Sequence, residues 1–459
     1  MKRLAIIGGG ISGLAAAWAA RAAPQPSDGL EIIVLEQGSA PGGVAQSIGR
    51  DGWLVESGPN GFLSGSPAIE RLIDAVGLRD TLLAASAVAA RRYIYWHGRM
   101  RRVTPSPIGL VRSGLLSPAG AARLLAEVGV PRRENPDDES IEQFVARRFG
   151  REAAERLARP MTLGVFAGDT RALSVAAAFP SLAELERSHR SVIRGFFARQ
   201  GTPRGALTSF AGGIGALAQA LAARGAFTVR CGARVTRVTS AGVRWRIDLD
   251  GGNAVDADAL AIAAGPRPAS DLFRSINTIV ADNLAAIATP PVSVVALGYD
   301  PRAASRVPAG FGVLMARDAG FRMLGNLWES QIFPDRAPAG HVLIRALYGG
   351  SVDPEAALLG RGELAALARS EISRLYGIVE EPVFEELVQW SDAIPQYAVG
   401  HGERVDRIEG AMASIPGCAL AGTALNGVSF PAAAAAGIAA GERAAAWLVR
   451  QTGTAVPFQ

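Results

Sequence analysis

Residues 4–13 read Leu4-Ala5-Ile6-Ile7-Gly8-Gly9-Gly10-Ile11-Ser12-Gly13. The apolar run 4–7 predicts a buried strand, and the three glycines stop it. Helix-forming residues then continue to Ala23, where Pro24 and Pro26 end them. Residues 31–36 predict a second strand that closes on Glu36. Strand, glycine turn, helix and strand in this order open a dinucleotide-binding unit. Gly8 permits the tight turn, Gly10 lets the backbone approach a pyrophosphate, and Gly13 allows the helix to pack closely on the strand. Ile11 and Ser12 open the helix, whose first amides point at the phosphates. Glu36 is placed to accept hydroxyls from an adenine nucleotide's ribose.

Outward from this motif, the chain reads as a well-buried enzyme of several domain-sized units. It has 459 residues, 49% of them hydrophobic and 19% charged, and its 54 glycines and 27 prolines are dispersed, which argues against disorder. Residues 4–20 fall short of the roughly 20 a spanning helix needs, and glycines interrupt them. The Ala-rich residues 430–449 contain Glu442 and Arg443 and are a poor span. Only Cys231 and Cys418 occur, which excludes a disulfide framework and suits a reducing cytoplasm. The cysteines and the scattered His97, His189, His341 and His401 lack metal-ligand spacing, so no metal is expected. The net charge of +5 comes with no basic block interleaved with aromatics, so nucleic acid is not an expected partner.

The expected fold class is α/β (α+β overall): a discontinuous Rossmann-type domain with two insertions. The first comprises residues 1–90, 203–270 and 386–459. Residues 91–202 predict a mostly helical insertion, in which Ile141, Phe144, Val145 and Phe149 share one helix face and residues 131–139 form a loop. Residues 271–385 predict a sheet-bearing substrate domain with strands at 292–297 and 341–347 and a helix at 364–375. Within the first domain, Ile214, Leu217 and Leu221 mark a helix, and residues 227–238 and 259–264 read as strands. Val243, Trp245, Ile247 and Leu249 alternate as a half-buried strand.

Two further turns favour a flavin over a nicotinamide. Pro41-Gly42-Gly43 and Glu56-Ser57-Gly58-Pro59-Asn60 resemble the glycine doublet and Gly-Pro turn of the flavoprotein superfamily containing monoamine oxidases and phytoene desaturases. Many members carry an arginine after the doublet where this chain has Val44, which shifts phosphate neutralisation onto backbone amides and the helix dipole.

Residues 164–169 (Gly-Val-Phe-Ala-Gly-Asp), Leu173-Ser174, Phe179-Pro180, Glu186 and residues 191–195 form a central signature. Trp390, residues 394–397 (Ile-Pro-Gln-Tyr) and Gly400-His401 form a C-terminal one. Together they resemble the oxygen-dependent protoporphyrinogen oxidases across nearly the whole chain. The resemblance implies FAD as cofactor, with successive hydride transfers from a porphyrinogen, O₂ as acceptor and H₂O₂ as by-product. Such chemistry needs positioning and a dry pocket more than an acid–base pair. By the same resemblance, Arg92 would clamp a substrate propionate. Gly164 and Phe166 would lie beside the macrocycle, and Leu324 and Leu347 would form apolar walls. Val235 would meet the adenine end of FAD, and Gly422, Gly427, Val428 and Ser429 its flavin end. His401 is expected to be structural. The family's Asp-Cys after this last turn is replaced by Pro431 and alanines, which puts the reduction potential in doubt.

Coproporphyrinogen III stays open as the substrate, as do an amine or polyene for a sister enzyme of the superfamily. A flavin-free carrier resembling the guanine-nucleotide dissociation inhibitors is the reading outside catalysis, and retention of Glu36 and the glycine turn argues against it. Peripheral contact at the inner face of the cell membrane and a homodimer are compatible with the resemblance.

Overall fold

The computed structural model describes residues 1–133, 137–199, 205–242, 244–316 and 318–453. Val243, the centre of the 131–139 loop and the boundary expected at 202/203 lie outside the described residues.

Strand Lys2–Ile7 is the centre of a parallel sheet ordered Thr228–Arg230, Leu30–Leu35, Lys2–Ile7, Ala259–Ile262, Cys418–Leu420. Leu4, Ile6 and Val34 are fully buried, as a sheet covered on both faces requires. Helix Ile11–Ala22 follows the first strand, and the C-terminal helix Phe430–Gly453 lies against it. Gly437 makes that crossing close: a Cβ there would stand 2.0 Å from the Ser12 carbonyl oxygen. The expected helix through Ile214, Leu217 and Leu221 forms as Gly215–Arg224, and Trp245, Ile247 and Leu249 alternate inward along Arg244–Leu249. Residues 227–238 are not one strand. The chain turns through Gly232 (φ 65°), so that Thr228–Arg230 joins the parallel sheet and Val235–Ala241 a separate antiparallel one.

A second sheet of seven strands runs Phe384–Trp390, Val292–Tyr299, Val342–Gly349, Gly325–Trp328, Gly312–Met315, Arg92–Trp96, Arg99–Val103. Its pairing corrects three expected boundaries. The hairpin 92–103 belongs to this sheet and not to the helical insertion, so that insertion starts at helix Pro107–Arg112. Strand Phe384–Trp390 also belongs here, past the expected boundary at 385/386. Helix Thr278–Ala285 instead packs with Phe273 and Ile262 in the core under the parallel sheet, past the boundary at 270/271.

One face of the seven-stranded sheet carries Val295, Leu297, Ile344, Ala346 and Tyr348 under helix Arg361–Tyr376. Ala296, Leu343 and Phe384 on the opposite face meet Trp53 and Val55 of the N-terminal hairpin. That second face therefore looks toward the dinucleotide unit. In the helical insertion, helix Ile141–Phe149 is capped by Ser140 and Gln143 in a reciprocal box, with Phe144 and Val145 buried. Arg148 and Glu127 form a fully buried ion pair there, and Glu127 also accepts from Ser191 Oγ, Val192 N and Ile193 N.

Candidate active site between the dinucleotide unit and the second sheet

The glycine turn lies at the carboxyl edge of the parallel sheet, where ligands of open α/β sheets bind. Gly8 N–H donates to the Leu35 carbonyl at 2.8 Å, and Gly42 N–H to the Gly9 carbonyl at 2.9 Å. Gly10 pairs with Gly42, and a Cβ on Gly43 would stand 3.2 Å from Gly10 Cα. The two glycine turns thus form one backbone cradle in which no side chain blocks close approach. Glu36, 8% exposed, accepts from Gly9 N at 2.6 Å and Gly38 N at 2.7 Å. A carboxylate has about four lone-pair sites, so two remain for ribose hydroxyls. Ser12 spends its hydroxyl on the Ala433 carbonyl at 2.8 Å, and Ile11 is a core side chain. Both can therefore serve a phosphate through backbone only. Segment 232–235 lies beside Glu36, because Gly232 N donates to Gly38 O and Ala233 N to Glu36 O. This places Val235 two residues beyond a backbone bond to Glu36, on the Glu36 side of the cradle.

Ser57 is buried and donates to Val44 O at 2.9 Å, which ties the 56–60 turn to the glycine doublet. Asn60 Nδ2 in that turn is buried without a hydrogen-bond partner. An orphaned donor is costly unless a ligand completes it. Arg345, 2% exposed, holds the turn from behind: its Nη1 donates to Glu56 O at 2.9 Å and Gly58 O at 2.6 Å, and its Nε pairs with Glu329 at 2.6 Å. Arg336 pairs with the Glu56 carboxylate at 3.2 Å. Burial, opposed by Arg336, pushes the Glu56 carboxyl up to about 7. This charged cluster escaped the sequence reading, although Arg345 is the one charge in the strand Val-Leu-Ile-Arg-Ala-Leu-Tyr-Gly, a visible signal.

Residues 390–401 act as a tie between the parts. Trp390 Nε1 donates to Ser57 O at 2.8 Å, Gln396 Nε2 to Phe166 O at 2.8 Å, and Tyr397 Oη to Thr423 O at 2.6 Å. His401 Nε2 lies 2.9 Å from Leu425 O, and its ring stacks on Tyr397 at 4.2 Å. Burial lowers the pKa of His401 and favours the neutral ring, which suits a structural part. The loop so held brings Gly422 beside Ala264 at the carboxyl edge of the parallel sheet. It ends at Gly427, Val428 and Ser429, where Ser429 Oγ accepts from Ala432 N at 3.2 Å at the start of the C-terminal helix.

Strand register places two of the five expected substrate residues, Arg92 and Leu347, on the sheet face that looks toward the dinucleotide unit. One row across the strands is Arg92, Gly312, Leu327, Arg345 and Ala296; the next is Ile94, Leu314, Gly325, Leu347 and Val294. Arg92 is exposed, its guanidinium 4.9 Å above the Phe311 ring, and among the described residues no carboxylate pairs with it. Leu347 is the one residue of strand Val342–Gly349 that is not fully buried. Leu324 packs with Leu163 and Ala167, and Gly164 touches Leu314, where a Cβ would stand 2.7 Å from Leu314 Cδ2. Phe166 is 2% exposed and packs in the core of the helical insertion between Phe179 and Tyr397, with ring centroids 5.6 and 5.9 Å away.

A glycine cradle at the end of a parallel sheet, a buried acid beside it and an orphaned amide in a turn held by the second sheet's Arg345 define a dinucleotide-dependent enzyme of two interleaved parts. The chain belongs to the flavin containing amine oxidoreductase family, whose model matches residues 11–446. It is 28% identical to the coproporphyrinogen III oxidase of Bacillus subtilis (strain 168), covering 94% of this chain and 95% of that protein. It is 30% identical to protoporphyrinogen oxidase 1, chloroplastic, of Arabidopsis thaliana, covering 93% and 84%. A crystal structure named "Putative protoporphyrinogen oxidase", from Exiguobacterium sp. 255-15, superposes with a TM-score of 0.86 at 23% identity over 97% and 99% of the two chains. The cofactor is FAD. The cradle of Gly8, Gly10, Gly13, Gly42 and Gly43, the lone pairs of Glu36 and the unpaired Asn60 amide fit it.

Proposed function

We propose that this flavoprotein oxidises protoporphyrinogen IX to protoporphyrin IX in haem synthesis, with O₂ as acceptor and H₂O₂ as by-product. The observation that carries the reading is the sheet face opposite the 56–60 turn. An apolar row of Ile94, Leu314, Leu347 and Val294 runs beside Arg92, whose guanidinium has no carboxylate partner among the described residues. An apolar macrocycle with carboxylates at one edge matches that surface. When bound, FAD supplies the hydride acceptor. Arg92 would orient a propionate. Leu324 and Leu347 would exclude water, and Gly164 would leave room for the ring edge. The Arg345 clamp holds Asn60 in place with its amide free. The Bacillus subtilis relative favours coproporphyrinogen III as the second reading. Among the described residues no helix is long and apolar enough to cross a membrane. Exposed Ile108, Leu125 and Phe197 in the helical insertion support a peripheral contact at the inner face of the membrane.

Aerobic turnover of FAD-loaded protein tests the reading. We expect porphyrin fluorescence from protoporphyrinogen IX with three peroxides released per porphyrin, one for each pair of electrons. Porphyrin formation at the enzyme-free rate, or without peroxide, contradicts it.

A further inference from the structure

Beside Leu324 a cavity of about 270 Å³ opens against helix Arg159–Phe166, the ends of the seven-stranded sheet and the turn at Val352. Leu163, Leu324 and Val352 are among its apolar lining residues, and Arg159, Asp169, Arg322 and Asp353 are its charged ones. Drug-sized ligands fill roughly 300–1,000 Å³, so this space suits the substituents on one edge of a tetrapyrrole rather than its ring.

Its cations are already matched. Arg322 Nε and Nη2 donate to the two carboxylate oxygens of Asp353, both at 2.8 Å, a bidentate pair. Arg159 Nη2 is 3.1 Å from Glu142, which also pairs with Arg171. Asp169 adds a carboxylate to the lining, and among the described residues no arginine side chain pairs with it. Glu371 accepts from the backbone amides of Arg322 and Met323 and leaves the guanidinium to Asp353.

We propose that Asp353 is a specificity-determining residue. By occupying the Nε–Nη2 edge of the Arg322 guanidinium with its own charge, it deprives this cavity of an uncompensated cation. Neutral vinyl and methyl groups then enter, while a further propionate meets the Asp353 and Asp169 carboxylates and is turned away. This rests on the porphyrinogen reading above. It leaves Arg92, on strand Arg92–Trp96 of the same sheet, as the propionate anchor.

The test compares wild type, Asp353→Asn, Arg322→Gln and the double variant, each loaded with FAD. The readouts are fluorescence titration with coproporphyrin III and protoporphyrin IX, and kcat/KM for both porphyrinogens. Asparagine keeps the cap that Asp353 Oδ1 makes to Ala356 N at 3.2 Å. Freeing a guanidinium for one charge-assisted bond should shift the preference toward the coproporphyrin by about tenfold in Asp353→Asn. The double variant should reverse the gain. Arg322→Gln, which leaves Asp353 uncompensated, should shift the preference the other way, and it decides the matter if Asp353→Asn does not fold. A preference unmoved in these variants, in a wild type that oxidises either porphyrinogen, overturns the role of Asp353 alone. A wild type that neither binds nor oxidises either tetrapyrrole overturns the porphyrinogen reading and this proposal with it.

Discussion

Gly13 sits where the first helix is pressed onto the glycine turn, and a Cβ there would stand 1.9 Å from the Gly8 carbonyl oxygen. Gly13→Ala must therefore open the cradle, at about 1–3 kcal/mol of stability by the usual cost of overpacking. We expect a lower flavin-to-protein absorbance ratio after gel filtration and a lower Tm; an FAD-saturated variant of wild-type stability would contradict the cradle. Glu56 makes a different kind of prediction. Burial raises its carboxyl from 4.5 to about 7 against the pull of Arg336. Between those values the folded chain keeps a proton that the unfolded chain has released, so stability falls as pH rises through the window and levels off above 7. The stability of wild type relative to Glu56→Gln should drop by about 3 kcal/mol from the bottom of the window to above it. Denaturant unfolding at several pH values measures this, and a flat difference refutes it. At this scale the glycine turns and Glu36 were legible because their chemistry is local. Arg345, Glu56 and Arg336 act across distant parts of the chain, and only their unusual place in apolar strands hinted at them.

The contact between the first and last helices is made by small residues. Gly437 lies over Ser12 and Gly441 over Ala16, where a Cβ would meet the carbonyl oxygens at 2.0 and 2.1 Å. Gly437→Ala should push the C-terminal helix outward and break the Ser12 Oγ bond to Ala433 O. Its start at Ser429 would shift with it. We expect a loss of about 1–3 kcal/mol and faster FAD dissociation, read by thermal unfolding and by flavin release on dilution. Unchanged FAD release would show that the helix start does not serve the flavin. Elements with a strong period, such as helix Ile141–Phe149 and strand Arg244–Leu249, were legible from pattern alone. The hairpin 92–103 was not. Arg99–Val103 is the edge strand of its sheet, and the arginines that protect such an edge from further pairing give it the charge of a solvated helix. The break in 227–238 hid in a single glycine, because both flanking segments are rich in the β-branched Val and Thr that favour strands.

Across the whole molecule, the signature segment 390–401 binds three regions into one site: the 56–60 turn, the loop that ends at Ser429, and the helix that carries Gly164. The resemblance identified these residues without explaining them, since their partners lie up to 333 positions away. The same assembly sets the sheet face with Arg92 and Leu347 toward the dinucleotide unit, and the central claim is that a porphyrinogen reacts there. Anaerobic stopped-flow absorbance tests it most directly, with the FAD-loaded protein mixed separately with protoporphyrinogen IX and coproporphyrinogen III. The account predicts rapid bleaching of the flavin by protoporphyrinogen IX, and slower bleaching by coproporphyrinogen III. A fully loaded flavin that neither porphyrinogen bleaches would contradict it and turn the search to amine or polyene substrates.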